Sequence, residues 1–93
     1  MDKVEARQLL EEFLQELKAR SFLELQELLS NPVCIERQGP SGVIYQIEYE
    51  AVWDDKPGGD LRVIASIDDG GLLSAILPVT SGFLVTPIGE VVD

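Results

Sequence analysis

The sequence predicts an α+β fold: two N-terminal helices on one face of a four-stranded antiparallel meander, followed by a C-terminal extended segment or short extra strand. Three observations carry this. Apolar residues recur with helical spacing as far as Leu29 and with a period of two after Pro32. Two helix-start signals, at Asp2 and Ser21, open the helical part. Glycine-bearing turns then cut the remainder into short β-forming runs. The 93 residues are expected to form a single domain.

Helix one is expected over residues 3–20. Ala6, Leu9, Leu10, Phe13, Leu14 and Leu17 fall within roughly 140° of arc at 100° per residue, a core-facing stripe. Asp2 can cap it, with Glu5 three positions on in a capping-box arrangement. Arg7–Glu11 and Glu16–Arg20 are favourable i,i+4 pairs, and Glu12–Glu16 is a like-charge pair at the same spacing. Ser21 and Glu24 repeat the capping pattern, so a second helix is expected over 22–29, with Phe22, Leu25, Leu28 and Leu29 on one side. Pro32 ends it by disfavouring a helical Asn31.

Strands are expected over 33–38, 43–53, 61–67 and 72–77, with the tail at 79–93. The second is the clearest. Val43, Tyr45, Ile47, Tyr49, Ala51 and Trp53 alternate with Ile44, Gln46, Glu48, Glu50 and Val52, giving one buried and one mostly wet face. Gly39-Pro40-Ser41-Gly42 and Asp68-Asp69-Gly70-Gly71 read as hairpin turns, and 54–60 as a loop. Pro78 stops the fourth strand, and Phe83-Leu84-Val85 in the tail is rich in β formers.

This order of elements, over residues 3–77, resembles a compact version of the cystatin-like and nuclear transport factor-like folds. The resemblance implies a curved antiparallel sheet wrapped around helices. It transfers no activity. Gln38-Gly39-Pro40-Ser41-Gly42 does not match the glutamine-valine-glycine loop of cystatin inhibitors, and the polar pocket residues of the enzymes have no counterparts to name.

Composition narrows the function. There are 17 acids, seven bases and no histidine, for a formal charge of −10. A 45% apolar share is ordinary for a folded chain. Without histidine and with one cysteine, the usual zinc sites and histidine-based acid–base chemistry cannot be built. No cofactor and no metal is expected. The negative charge argues against nucleic acid, whose phosphates demand clustered Lys and Arg. The charged N-terminus offers no signal peptide or membrane span, so a cytoplasmic location is expected. The charge is uneven: residues 1–46 carry eight acids and five bases, residues 47–93 nine acids and two bases.

Four constellations stand out. Tyr45, Tyr49 and Trp53 share one strand face, either lining a ligand cleft or forming the core beneath the helices. The acidic turns hold Asp54, Asp55 and Asp60, and Asp68 and Asp69; they are cation candidates, yet neither matches a calcium loop, and Asp is an ordinary turn former. Glu48 and Glu50 sit on the wet face as solvation or as a binding patch. Ile44, Val52 and Ile64, with Leu72 or Ile76, form an apolar stripe on that same face, to be covered by the tail through Phe83–Val85 or by a second copy. Cys34 is expected to be a buried structural thiol.

The expected function is a non-enzymatic, homodimeric acidic binding module that recognises a basic protein partner through Glu48, Glu50, Asp54, Asp55, Ile44, Val52 and Ile64. An immunity-type inhibitor of a basic toxin or a secretion-type chaperone would fit. The alternatives are a small-molecule carrier or enzyme using the sheet–helix cleft at Tyr45, Tyr49 and Trp53, and an accessory subunit of a larger assembly.

Overall fold

The first helix begins where Asp2 leaves extended backbone and its carboxylate accepts the Val4 and Glu5 amides at 3.0 and 3.1 Å. In this computed structural model, which describes residues 1–71 and 77–92, the helix α1 spans Lys3–Lys18. Its buried side chains are Ala6, Leu10, Phe13, Leu14 and Leu17, the stripe expected from the spacing, with Leu9 packed at its margin. The helix stops two residues short of Arg20. The reason is Ser21, which must be extended (φ −69°, ψ 160°) to cap the next helix. Ser21 and Glu24 form a complete capping box, and α2 runs over Phe22–Gln26 before tightening into a 3-10 turn at Glu27–Leu29.

Among the described residues five strands follow: β1 (Val33–Gln38), β2 (Ile44–Trp53), β3 (Leu61–Asp68), β4 (Val79–Val85) and β5 (Val91–Val92). They form one antiparallel meander in the order β1-β2-β3-β4-β5. The α+β class holds, with five strands in place of four. The inner face is Val33 and Ile35 of β1, then Tyr45, Ile47, Tyr49 and Ala51 of β2. It continues through Leu61, Val63, Ala65 and Ile67 of β3 to Val79, Phe83 and Val85 of β4. Helix α1 packs across β3 and β4, and the 3-10 turn packs on β2. The result is a slab of 39 × 22 × 18 Å, one helical layer on one sheet.

The tail takes the second of its two expected forms, strand, over a longer stretch than expected. The strand expected at 72–77 lies, but for an exposed Leu77, outside the described residues. Among the described residues the fourth strand of the sheet is Val79–Val85, which pairs with β3 from Leu61↔Val85 to Ile67↔Val79. Its alternation is hard to see in the sequence because Ser81 holds an inward position and Gly82 an outward one. The tail therefore extends the sheet edgewise. It does not fold over the outer face: Phe83 and Val85 point into the core.

Gly82 explains how β4 can bend closely against β3. A Cβ there would lie 2.3 Å from the Val63 carbonyl oxygen, a backbone atom that cannot swing away. Gly82→Ala is expected to destabilise the fold by about 1–3 kcal/mol. Thr80→Ala, two residues away and exposed, is expected to change it by less than about 0.5 kcal/mol. Urea unfolding of the two variants checks this; equal midpoints would contradict the close approach.

Candidate functional site: the outer sheet face

Among the described residues no helix covers the second face of the sheet, and the register fixes what that face carries. Row by row across the strands it presents Gln38 and Ile44; Glu36, Gln46 and Asp68; Cys34, Glu48, Ser66 and Thr80. Then come Glu50, Ile64 and Gly82, and last Val52, Arg62, Leu84 and Val92. Every one of these residues is exposed or half-buried. Carboxylates of Glu36, Glu48, Glu50 and Asp68 occupy the middle rows, while the row at Val52 is mostly apolar. Ile44 is 53% and Val52 41% exposed, and Ile64 is half-buried.

The sequence-derived binding residues thus separate. Glu48, Glu50, Ile44, Val52 and Ile64 share the outer face. Asp54 and Asp55 lie just beyond β2, in the turn leading to β3. Asp54 already has a partner: Arg62 donates to its Oδ1 through Nε at 3.0 Å and through a terminal nitrogen at 2.8 Å. This clamp, with the Asp54 amide donating to the Asp60 carbonyl at 2.9 Å, closes the 54–60 loop. At the other end of β3, the Asp68 and Asp69 carboxylates accept the Gly70 and Gly71 amides at 2.8 and 3.0 Å. They act as turn formers. Among the described residues no three acids or thiols gather as metal ligands.

The aromatic row lies on the opposite, inner face. Tyr45 and Tyr49 are buried and Trp53 is half-buried at the strand's end. Phe13 packs on Tyr49 with centroids 4.9 Å apart and a 58° tilt, and the Arg20 guanidinium covers Tyr49 at 5.8 Å. Cys34 is a correction: its position alternates onto the outer face of an edge strand, so its thiol is exposed, not buried. The apolar neighbours Val33 and Ile35 point the other way.

Two polar links that sequence reasoning missed pin α1 to the sheet. Glu5 does not complete the capping box with Asp2. Its Oε1 accepts the Ser41 hydroxyl at 2.6 Å and the Tyr45 hydroxyl at 2.8 Å, and its Oε2 accepts the Ser41 amide at 3.0 Å. The signal available was a tyrosine whose ring is core but whose hydroxyl needs a partner. The second link is Arg37, which reaches both Glu16 oxygens at 3.3 Å and lies 5.5 Å from the Phe13 ring centre. Glu16 therefore pairs across to β1.

Grooves among the described residues border the core. One, of about 200 Å³, is lined by Leu9, Glu12, Phe13 and Glu16 of α1 with Arg37 and Gln38 of β1. Another opens between Ser21, Phe22 and Leu23 and the Pro87–Gly89 turn, and has no charged side chain in its lining. No protein-family model matches the chain, and neither a curated protein nor a solved structure matches it. No helix among the described residues is long and apolar enough to cross a membrane.

The Glu5 latch makes a pH prediction. Hydrogen bonds from Ser41 and Tyr45 hold the Glu5 carboxyl below its ordinary value of 4.5. Burial and the neighbouring Glu5 push Tyr45 up to about 12 from 10.0. A depressed acid stabilises the fold fully above its unfolded pKa and loses that contribution as pH falls through the folded one. A raised tyrosine contributes below its unfolded pKa and loses that as pH rises through the folded value. Glu5→Gln is therefore expected to lower the melting temperature at neutral pH, with the gap to the parent closing in acid. Tyr45→Phe is expected to cost about 1 kcal/mol at neutral pH and to flatten the loss of stability above pH 10. Melting curves across pH check both; a gap for Glu5→Gln that stays constant into acid would contradict the latch.

Proposed function

We propose that this protein is a non-enzymatic binding module whose outer sheet face recognises a basic protein partner. The observation that carries the reading is the charge of that face: Glu36, Glu48, Glu50 and Asp68 stand on three adjacent strands. The base beside them, Arg62, is engaged by Asp54. Such a surface steers cationic partners in and fixes their register more than it supplies affinity. The apolar row of Val52, Leu84 and Val92 with Ile64 would give the contact its dry part.

A second copy fits this face less well than a basic partner. Two sheets stacked through it would set Glu36, Glu48, Glu50 and Asp68 against the same residues of the other copy. Like charges in contact cost several kcal/mol.

The test is capture from a cell extract by immobilised protein, beside the Glu48→Lys/Glu50→Lys double variant. Both positions lie on the outer face, so folding should change by less than about 0.5 kcal/mol per site. The parent is expected to retain basic proteins. Retention should fall about tenfold between about 50 mM and about 300 mM salt, and by a similar factor in the variant. Retention that shows no basic bias and survives both changes would overturn the reading.

A further inference from the structure

The sheet has two unlike edges. β5 is two residues long and is bound to a closed turn, in which the Thr86 amide donates to the Glu90 carbonyl at 2.9 Å. β1 is six residues long, with no proline or lysine inside it, and among the described residues it pairs with β2 alone. Its hydrogen-bond phase follows from the turn beside it. The Gly39 amide donates to the Val43 carbonyl at 2.8 Å, so Gly39 and Val43 form a hydrogen-bonded pair. Antiparallel ladders alternate. Val33, Ile35 and Arg37 therefore spend their backbone groups on β2, while Cys34, Glu36 and Gln38 direct theirs away from the sheet. All three are exposed.

Along this edge runs the groove of about 200 Å³ between α1 and β1. Its floor is Leu9 and Phe13 and its helical rim carries Glu12 and Glu16. Arg37 shows what the groove holds: a guanidinium 3.3 Å from a rim carboxylate and 5.5 Å from an aromatic face. Glu12 stands one turn earlier on the same rim, and Glu36 lies on the outer side of the strand. A strand added to β1 would point alternate side chains into this groove and onto the outer face, meeting carboxylates on both sides.

We propose that the β1 edge takes an extended, basic segment of the partner by strand addition, with Arg or Lys at alternate positions. This rests on the basic-partner reading and names how that partner docks. The backbone of Cys34, Glu36 and Gln38 supplies the hydrogen bonds, and Glu12 on the groove's rim selects the charge of the side chains that enter it. A second copy of the chain is the weaker occupant, because pairing β1 with its equivalent would bring the acidic rims of two chains of charge −10 side by side.

The experiment uses the isotope-labelled full chain and a synthetic peptide of alternating Arg and Val. Its controls are the same peptide N-methylated along one edge and an alternating Glu and Val peptide. With the Arg peptide at about ten times its Kd, exchange of the Cys34, Glu36 and Gln38 amides is expected to slow about tenfold. N-methylation or Glu substitution should abolish the effect. Glu12→Lys is expected to weaken binding about fivefold to tenfold, and Glu48→Lys to weaken it less. If the Arg peptide binds without protecting those amides, and Glu48→Lys weakens it more, strand addition is overturned while the basic-partner reading stands. If Arg and Glu peptides bind alike, the reading itself falls. Protection that appears without peptide and rises with protein concentration would make a second copy the occupant and overturn the proposal.

Discussion

One buried seam holds this molecule together: the apolar stripe of α1 against the inner face of β2, β3 and β4. Leu10, Leu14 and Leu17 are fully buried there, facing a sheet whose inner residues are almost as inaccessible. Each such side chain contributes about 1.5–3 kcal/mol relative to exposure. No other extended apolar interface exists among the described residues, so the remaining features are arranged around it. Glu5 ties the start of α1 to the first hairpin, and Arg37 ties its middle to β1. α2 and the 3-10 turn close the far side over β2 and β3. A single long helix can cover only one face of a sheet, so the second face has to be polar, partnered or both.

The seam also accounts for where the charge went. Four of the seven bases are committed to the folded structure. Lys18 lies over Phe83 at 5.7 Å, Arg20 over Tyr49, Arg37 over Phe13 and against Glu16, and Arg62 against Asp54. Three of them seal aromatic side chains at the margin of the core, where a long aliphatic stem packs and the charge stays in water. Exposed pairs of this kind contribute little stability. Their consequence is electrostatic: three bases are held at the helix–sheet margin, and Arg62, on the outer face, is engaged by Asp54. Among the described residues the outer face carries four of the 17 acids, Glu36, Glu48, Glu50 and Asp68, and one base, Arg62.

Much of this was legible in the sequence because it is periodic. The α1 stripe, the alternation of β2 and β3 and the Ser21–Glu24 box all depend on residues a few positions apart. The failures involve residues far apart. Local spacing makes Glu5 a capping partner of Asp2, whereas its carboxylate bonds Ser41 and Tyr45; it sets Glu16 beside Arg20, whereas Glu16 pairs with Arg37. The β4 strand is legible only as an extended segment or short strand because Ser81 and Gly82 interrupt its apolar rhythm, although Gly82 is what the close approach to Val63 demands. Cys34 was judged by its apolar neighbours, and in a strand the neighbours face the other way. The outer-face residues were legible for the same reason that the core was: a period of two sorts both faces at once. Asp54 and Asp55 were not separable from them without the Arg62 clamp.

The asymmetry of the two edges ties these threads together. A meander that adds strands in chain order leaves its first and last strands open. An open edge invites pairing with another copy of the same chain. Here the last strand is cut to two residues. The first keeps six, and nothing inside it blocks pairing. What guards it is charge. Glu12 on the adjoining helix and Glu36 on the strand flank any incoming segment, while Glu16 is held by Arg37. Repulsion of this kind is selective where a proline or a bulge would not be. On the proposed reading it would oppose a second copy of this acidic chain while leaving the backbone donors and acceptors of Cys34, Glu36 and Gln38 open to a cationic strand. One set of carboxylates would then serve both as the guard of the edge and as its selector.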